Sequence, residues 1–182
     1  MNEFQNRPVV YLIVCAAPRA RNTGHLVGLL QAVGWDVCVV ATPQALDFID
    51  ASALEALSGH PVRSRYKKPD EPDVLPRPDA MVVCPATFNT VNKWAAGISD
   101  TLALGLITEA IGLRIPLVAA PSLNDAQAAH PAFARSVAEL QDAGVTVLYG
   151  PGVYEPAPPR TGGRAYDWQL ILDALPDPID VP

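Results

Sequence analysis

The residues best suited to hold a ligand are those of the run Pro85-Ala-Thr-Phe-Asn-Thr90. Small and hydroxyl-bearing side chains let backbone N–H groups come close to a bound molecule, and Asn89 adds an amide that both donates and accepts. As an ordinary strand-to-helix turn, the same run would use Asn89 as a helix cap. A second candidate is the turn Ala16-Ala-Pro-Arg-Ala-Arg-Asn-Thr-Gly24. A phosphate rests at such a turn, where free N–H groups and the helix dipole meet it. Arg19, Arg21 or Thr23 would make the contact, an Arg gripping phosphate through two parallel bonds. Thr42, after the second apolar run, is either a ligand contact or a helix cap, and Asn124 offers the same two readings. For proton transfer the candidates are His60, whose residue type titrates near neutrality, and Glu71. His25 reads as a surface residue and His130 as a partner for backbone.

These residues need elements that bring them to one edge. Five apolar, β-branched runs alternate with helical patterns: Val9 to Cys15, Asp36 to Ala41, Ala80 to Cys84, Pro116 to Ala120 and Val145 to Tyr149. Such alternation predicts an α/β fold, a parallel sheet covered on both faces, with ligands at the carboxyl ends of the strands. The helices are expected over Thr23 to Val33, Leu46 to Ser58, Asn89 to Leu113, Ala126 to Ala143 and Arg164 to Leu175, with Gly34 and Gly144 as stop residues. Residues 61–78 carry five prolines and mixed charge, which excludes a helix or a central strand and predicts a long loop. Residues 150–163, rich in proline and glycine, form either a flap over the ligand site or a connector to the last helix.

The run from Pro85 to Asp100 resembles the Pro-Ala-Ser-x-Asn-Thr-x-x-Lys…Gly-Ile-x-Asp pattern of the homo-oligomeric flavin-containing cysteine decarboxylases, the family of phosphopantothenoylcysteine decarboxylase and the lantibiotic cysteine decarboxylases. Pro85, Ala86, Asn89, Thr90, Lys93, Gly97, Ile98 and Asp100 match, and Thr87 keeps the hydroxyl of the usual Ser. Thr42, Ala45, Phe48 and Ile49 are similar to the family's Thr-x-x-Ala-x-x-Phe-Ile, and Pro121 and Asn124 to its Pro-Ala-Met-Asn element. The resemblance implies a flavodoxin-like or Rossmann-like three-layer sandwich with a five- or six-stranded parallel sheet. It also implies FMN as cofactor and a homo-trimer or a dodecamer of trimers. It places the flavin phosphate at the turn after the first strand, where Ala17 and Arg19 of this chain are the candidates, and it implies flavin contacts at Thr42, Pro85, Ala86, Thr87, Phe88 and Asn89, with Asn124 on the substrate. In the family, the flavin oxidises a thiol-bearing carbon and carbon dioxide leaves.

Departures from the family concern contacts and catalysis. Ala16-Ala17-Pro18-Arg19 replaces a Gly-Ser-Ile-Ala type turn, and Ser122, Leu123, Gln127 and Ala128 differ from the substrate element. Glu71 stands where the family has a His, and no cysteine follows Cys84. Two readings remain open: an FMN-dependent enzyme acting on a small carboxylate or thiol with altered catalytic residues, or a non-catalytic FMN-binding or regulatory subunit. A third, a relative of the flavin prenyltransferases, is disfavoured by Asn89 and Thr90.

At 182 residues and 49% hydrophobic, the chain is expected to form one domain, with residues 1–7 as a tail. A net charge of −6 argues against nucleic acid as partner, because a phosphate-binding face needs an excess of Lys and Arg. No apolar run is long enough for a membrane span and none has the order of a signal peptide, so a cytoplasmic protein is predicted. Cys15, Cys38 and Cys84 sit in or at the ends of apolar runs without metal-ligand spacing, which predicts free buried thiols and no metal.

Overall fold

The computed structural model describes residues 7–162 and 164–181. The expected tail, save Arg7, and the last glycine of the expected flap lie outside the described residues. Five parallel strands form one sheet: β1 (Val9–Val14), β2 (Asp36–Ala41), β3 (Ala80–Ala86), β4 (Leu117–Pro121) and β5 (Thr146–Val147), in the order β2-β1-β3-β4-β5. This is the flavodoxin-like order, and its direction reverses between β1 and β3, so the loops after those strands splay apart and leave a crevice. The sheet thus takes the lower of the two expected strand counts, and a single bridge, Arg63 beside Val40, extends the outer edge of β2.

Seven helices are described: α1 (Thr23–Ala32), α2 (Ala51–Ser58), α3 (Phe88–Ala95), α4 (Leu102–Leu113), α5 (Asp125–Ala128), α6 (Pro131–Asp142) and α7 (Gln169–Ala174). Because side chains alternate along a strand, β1 supplies both faces: Val9, Tyr11 and Ile13, with Cys15 just after the strand, to one core, and Val10, Leu12 and Val14 to the other. The first core packs against α3, α4 and α6, and the second against α1, α2 and α7. Strands buried on both faces explain why their sequences read as continuous apolar runs.

Several helix bounds differ from the sequence reading, each for a local reason. The expected helix from Asn89 to Leu113 is two helices, because Gly97 turns left-handed at φ +70° and Thr101 caps a new start by accepting from the Leu104 N–H. The Lys93 ammonium paired with the Asp100 carboxylate closes that turn. The helix expected from Ala126 breaks at His130-Pro131, since proline fits a first turn and not an interior. The helix expected from Leu46 begins only at Ala51, capped by Asp50, after a separate 3-10 turn at Pro43–Asp47. The last helix and β5 are likewise shorter than expected.

Gly97 offers a clean test of that turn. A Cβ there would meet nothing within 4 Å, so Gly97→Ala adds only the backbone cost of a left-handed L-residue. That cost is about 1–2 kcal/mol, read as a lower urea midpoint with unchanged slope.

Candidate functional site

The loops after β1, β2, β3 and β4 enclose one cleft of about 1180 Å³. Clefts that hold drug-sized ligands usually span ~300–1,000 Å³, so this one has room for a large cofactor together with a small second molecule. Ala17, Arg19, Thr42, Thr87, Phe88, Asn89 and Asn124 all line it. Pro85 and Ala86 do not reach the wall. They are buried beneath it, where the Pro85 carbonyl accepts from the Cys15 N–H and the Ala86 carbonyl from the Ser122 N–H, fixing the spacing of three strand ends.

The caps decide which polar groups are free. Thr87, and not Asn89, caps α3, its hydroxyl accepting from the Thr90 N–H at 3.3 Å. Asn89 is therefore exposed in the cleft wall with its amide uncommitted to the helix. Thr42 precedes its 3-10 turn without a side-chain cap bond, which leaves its hydroxyl to the cleft. Asn124 does cap α5, in a reciprocal box with Gln127: its Oδ1 accepts from the Gln127 N–H, and Gln127 Oε1 accepts from the Asn124 N–H. The Nδ2 of Asn124 takes no part in that box. His130 caps α6 through Nδ1 and lies edge-on to Phe88, consistent with a backbone partner.

Electrostatics single out the cleft. In a chain of net charge −6, its wall holds Arg19, Lys93, Arg160 and Arg164 and, among the described residues, no carboxylate, Lys93 and Arg164 being paired with Asp100 and Glu155 outside the wall. Arg19 is the most constrained of the four. Its guanidinium lies 4.6 Å from the ring centre of Tyr166 and 5.2 Å from that of Tyr154, and Nη2 donates to the Arg164 carbonyl at 3.0 Å. Its Nη1 is buried without a hydrogen-bond partner. Cys84 lies close by, its thiol pushed up to about 12 by burial and pulled back slightly by Arg19.

Tyr154, Ala157, Pro158 and residues 160–162 line one side of the cleft. The segment is fastened at Tyr154, whose hydroxyl donates to the Leu123 carbonyl, and at Ala157, whose carbonyl accepts from the Asp125 N–H. Tyr154, Arg164 and Tyr166 in the wall were not among the residues expected from sequence. The only local hint is aromatic residues within a proline- and glycine-rich stretch.

Neither proton-transfer candidate lines the cleft. His60 Nε2 is 2.8 and 3.0 Å from the two carboxylate oxygens of Asp36, the first residue of β2, so it sits at the amino end of the sheet. The six-residue strand puts roughly 16 Å between that end and the cleft. Glu71 is exposed in the long loop and accepts from the Lys68 N–H. That loop runs beside Val40 at Arg63, its Tyr66 hydroxyl donates to the Thr101 carbonyl, and at its end Asp79 accepts from the Val9 N–H.

Comparison with known proteins gives consistent results. A family model described as Flavoprotein matches residues 2–178. The chain is 33% identical over 138 residues to the coenzyme A biosynthesis bifunctional protein CoaBC of Mycolicibacterium smegmatis, covering 74% of this chain and 31% of that protein. It spans about a third of the length of the curated relatives it matches first. A probable phosphopantothenoylcysteine decarboxylase of Streptococcus mutans is 28% identical over 141 residues, with 74% of this chain and 78% of that protein covered. Among solved structures, the FMN-dependent cysteine decarboxylase SpaF superposes with a TM-score of 0.76 at 23% identity, covering 98% of each chain. At that identity the likeness speaks for the fold.

Proposed function

The chain belongs to the Flavoprotein family, and from that membership we propose that it holds FMN in the cleft and acts on a small substrate bearing a carboxylate or a thiol. The observation that carries this reading is the buried, partnerless Nη1 of Arg19 in a roomy cleft whose wall is otherwise free of acids. FMN needs a slot for three fused rings, polar groups at the ring edge and a cation for its phosphate. The volume, the free Asn89 and Thr42 side chains and Arg19 meet those needs, so the residues present fit the cofactor.

In this reading Ala17 and Arg19 serve the phosphate end, and Thr42, Thr87, Phe88 and Asn89 serve the ring and its ribityl chain. Pro85 and Ala86 hold the floor in register. Bound FMN would supply a two-electron acceptor to a thiol-bearing carbon. The protein's share is to orient the substrate, Asn124 Nδ2 donating to its carboxylate, and to exclude water with the covering segment. The same proposal includes a cytoplasmic location and a homo-oligomer, a trimer or a dodecamer of trimers. The exposed Ile98 and Leu113, on the turn before α4 and at its end, support assembly.

A second reading, an FMN-binding or regulatory subunit without turnover, is favoured by one observation. Neither His60 nor Glu71 lines the cleft, and no His, Asp or Glu stands in its wall among the described residues.

Purified protein is expected to be yellow and to release FMN on denaturation, one per chain. Colourless protein that takes up no FMN would overturn both readings. Carbon dioxide released from cysteinyl carboxylates separates enzyme from carrier, and its absence across a panel of such substrates sinks the first reading.

A further inference from the structure

Arg19 Nη1 is not alone. The hydroxyl of Tyr166 is also buried without a partner, and both residues line the cleft. The two groups are stacked, the guanidinium carbon lying 4.6 Å from the Tyr166 ring centre. Burial raises the phenol, so it stays protonated at neutral pH and can only donate to an anion. The cluster thus holds a permanent cation and a neutral donor, with no acceptor for either free hydrogen. An anion with several acceptor oxygens satisfies both at once.

The cluster joins two distant parts of the chain. Arg19 belongs to the turn after β1, which leads into α1, where phosphates are seated in folds of this order. Tyr154, Arg164 and Tyr166 belong to the covering segment. Between them Arg160 and Arg164 are exposed, while Tyr154 and Ala157 are buried. The segment is therefore anchored at one end by Tyr154 and Ala157 and held at the other through Arg19.

We propose that the phosphate of FMN binds between Arg19 and the Tyr166 hydroxyl, so that the covering segment itself forms half of the phosphate site and is fastened down by the cofactor. This rests on the FMN reading given above. It departs from a site made by a glycine-serine turn alone, and it makes the segment's order depend on the phosphate rather than on the flavin ring.

The test compares FMN, riboflavin and inorganic phosphate on the whole protein stripped of flavin. Affinities are read from quenching of flavin fluorescence, and the order of the segment from the rate of tryptic cleavage after Arg160 and Arg164. FMN is expected to bind about 30-fold more tightly than riboflavin. Arg19→Met, which keeps the bulk between the two rings, and Tyr166→Phe, which removes one oxygen, should each shrink that ratio while leaving riboflavin affinity near its original value. FMN should slow cleavage at both sites about tenfold, in line with its occupancy, and riboflavin should not. Equal affinity for the two flavins, or equal weakening of both by Arg19→Met and Tyr166→Phe, overturns this assignment and leaves FMN binding standing. Binding of neither flavin overturns both. Protection by inorganic phosphate as strong as that by FMN assigns the site to free phosphate and overturns the cofactor's part in it.

Discussion

Raising the pH from about 8 to about 10 is expected to cost the fold about 3 kcal/mol through Cys38 and Cys84, with Cys15 acting in the same direction, a large part of the ~5–15 kcal/mol that holds a domain together. The cause is three thiols in the core: Cys15, Cys38 and Cys84 are 1%, 0% and 2% exposed. Burial pushes Cys38 and Cys84 up from 9.0 to about 12. Cys15 is raised by burial too, against the opposing pull of a hydrogen bond with Thr90. In the unfolded chain these thiols lose their protons near pH 9, whereas the folded chain keeps them. Above that point the native state binds more protons, so stability is intact below about pH 9 and falls toward about pH 12, by about 1.4 kcal/mol per pH unit for each of Cys38 and Cys84. Tyr11, raised from 10.0 to about 12 mainly by burial, adds to the slope above about pH 10. Urea midpoints measured across this range would reveal the slope, and Cys84→Ala should lower it by about 1.4 kcal/mol per pH unit. Stability that stays level between the two pH values would mean that the thiols ionise in place.

The strands were legible because both faces of the sheet are covered, which turns each into an unbroken apolar word. Helix ends were less so. Gly97 and Thr101 together carry the break between α3 and α4, yet each is tolerated singly within a helix, and only their pairing with the Lys93–Asp100 bridge decides the matter. The cap of α3 shows the same ambiguity. Thr87 and Asn89 are both good caps, and the choice falls to Thr87 because Ala86 is still engaged in the sheet through Pro121 and Ser122. The phosphate side of the cleft was legible only by half. Arg19 declared itself by its place after the first strand, but the carbonyl it bonds lies 145 positions away, and no local pattern announces such a contact. His60 shows the converse. Its residue type suggested proton transfer, and the three-dimensional structure gives it Asp36 as a partner at the far end of the sheet.

Replacing Phe133 by Ala should cost about 3–5 kcal/mol, and the loss should reach the cleft. Phe133 is fully buried on α6, with Tyr149 edge-on at 5.0 Å and Phe88 stacked at 6.2 Å between ring centres. Phe88 is both the first residue of α3 and part of the cleft wall, so the ring of Phe133 is what holds it from behind. For a chain of 182 residues, a loss of that size lowers the thermal midpoint by about 10 °C. FMN at a hundredfold excess over its dissociation constant adds about 2.7 kcal/mol to any chain that binds it, which provides the second readout. In Phe133→Ala at the same FMN concentration, the upward shift should be smaller than in the unaltered protein, because a wall residue free to sink into the vacated space binds the flat ring less well. A full-sized FMN shift on a destabilised background would separate the two roles of Phe133: it would remain a core residue, and Phe88 would owe its position to the Thr87 cap and the rim of the cleft instead.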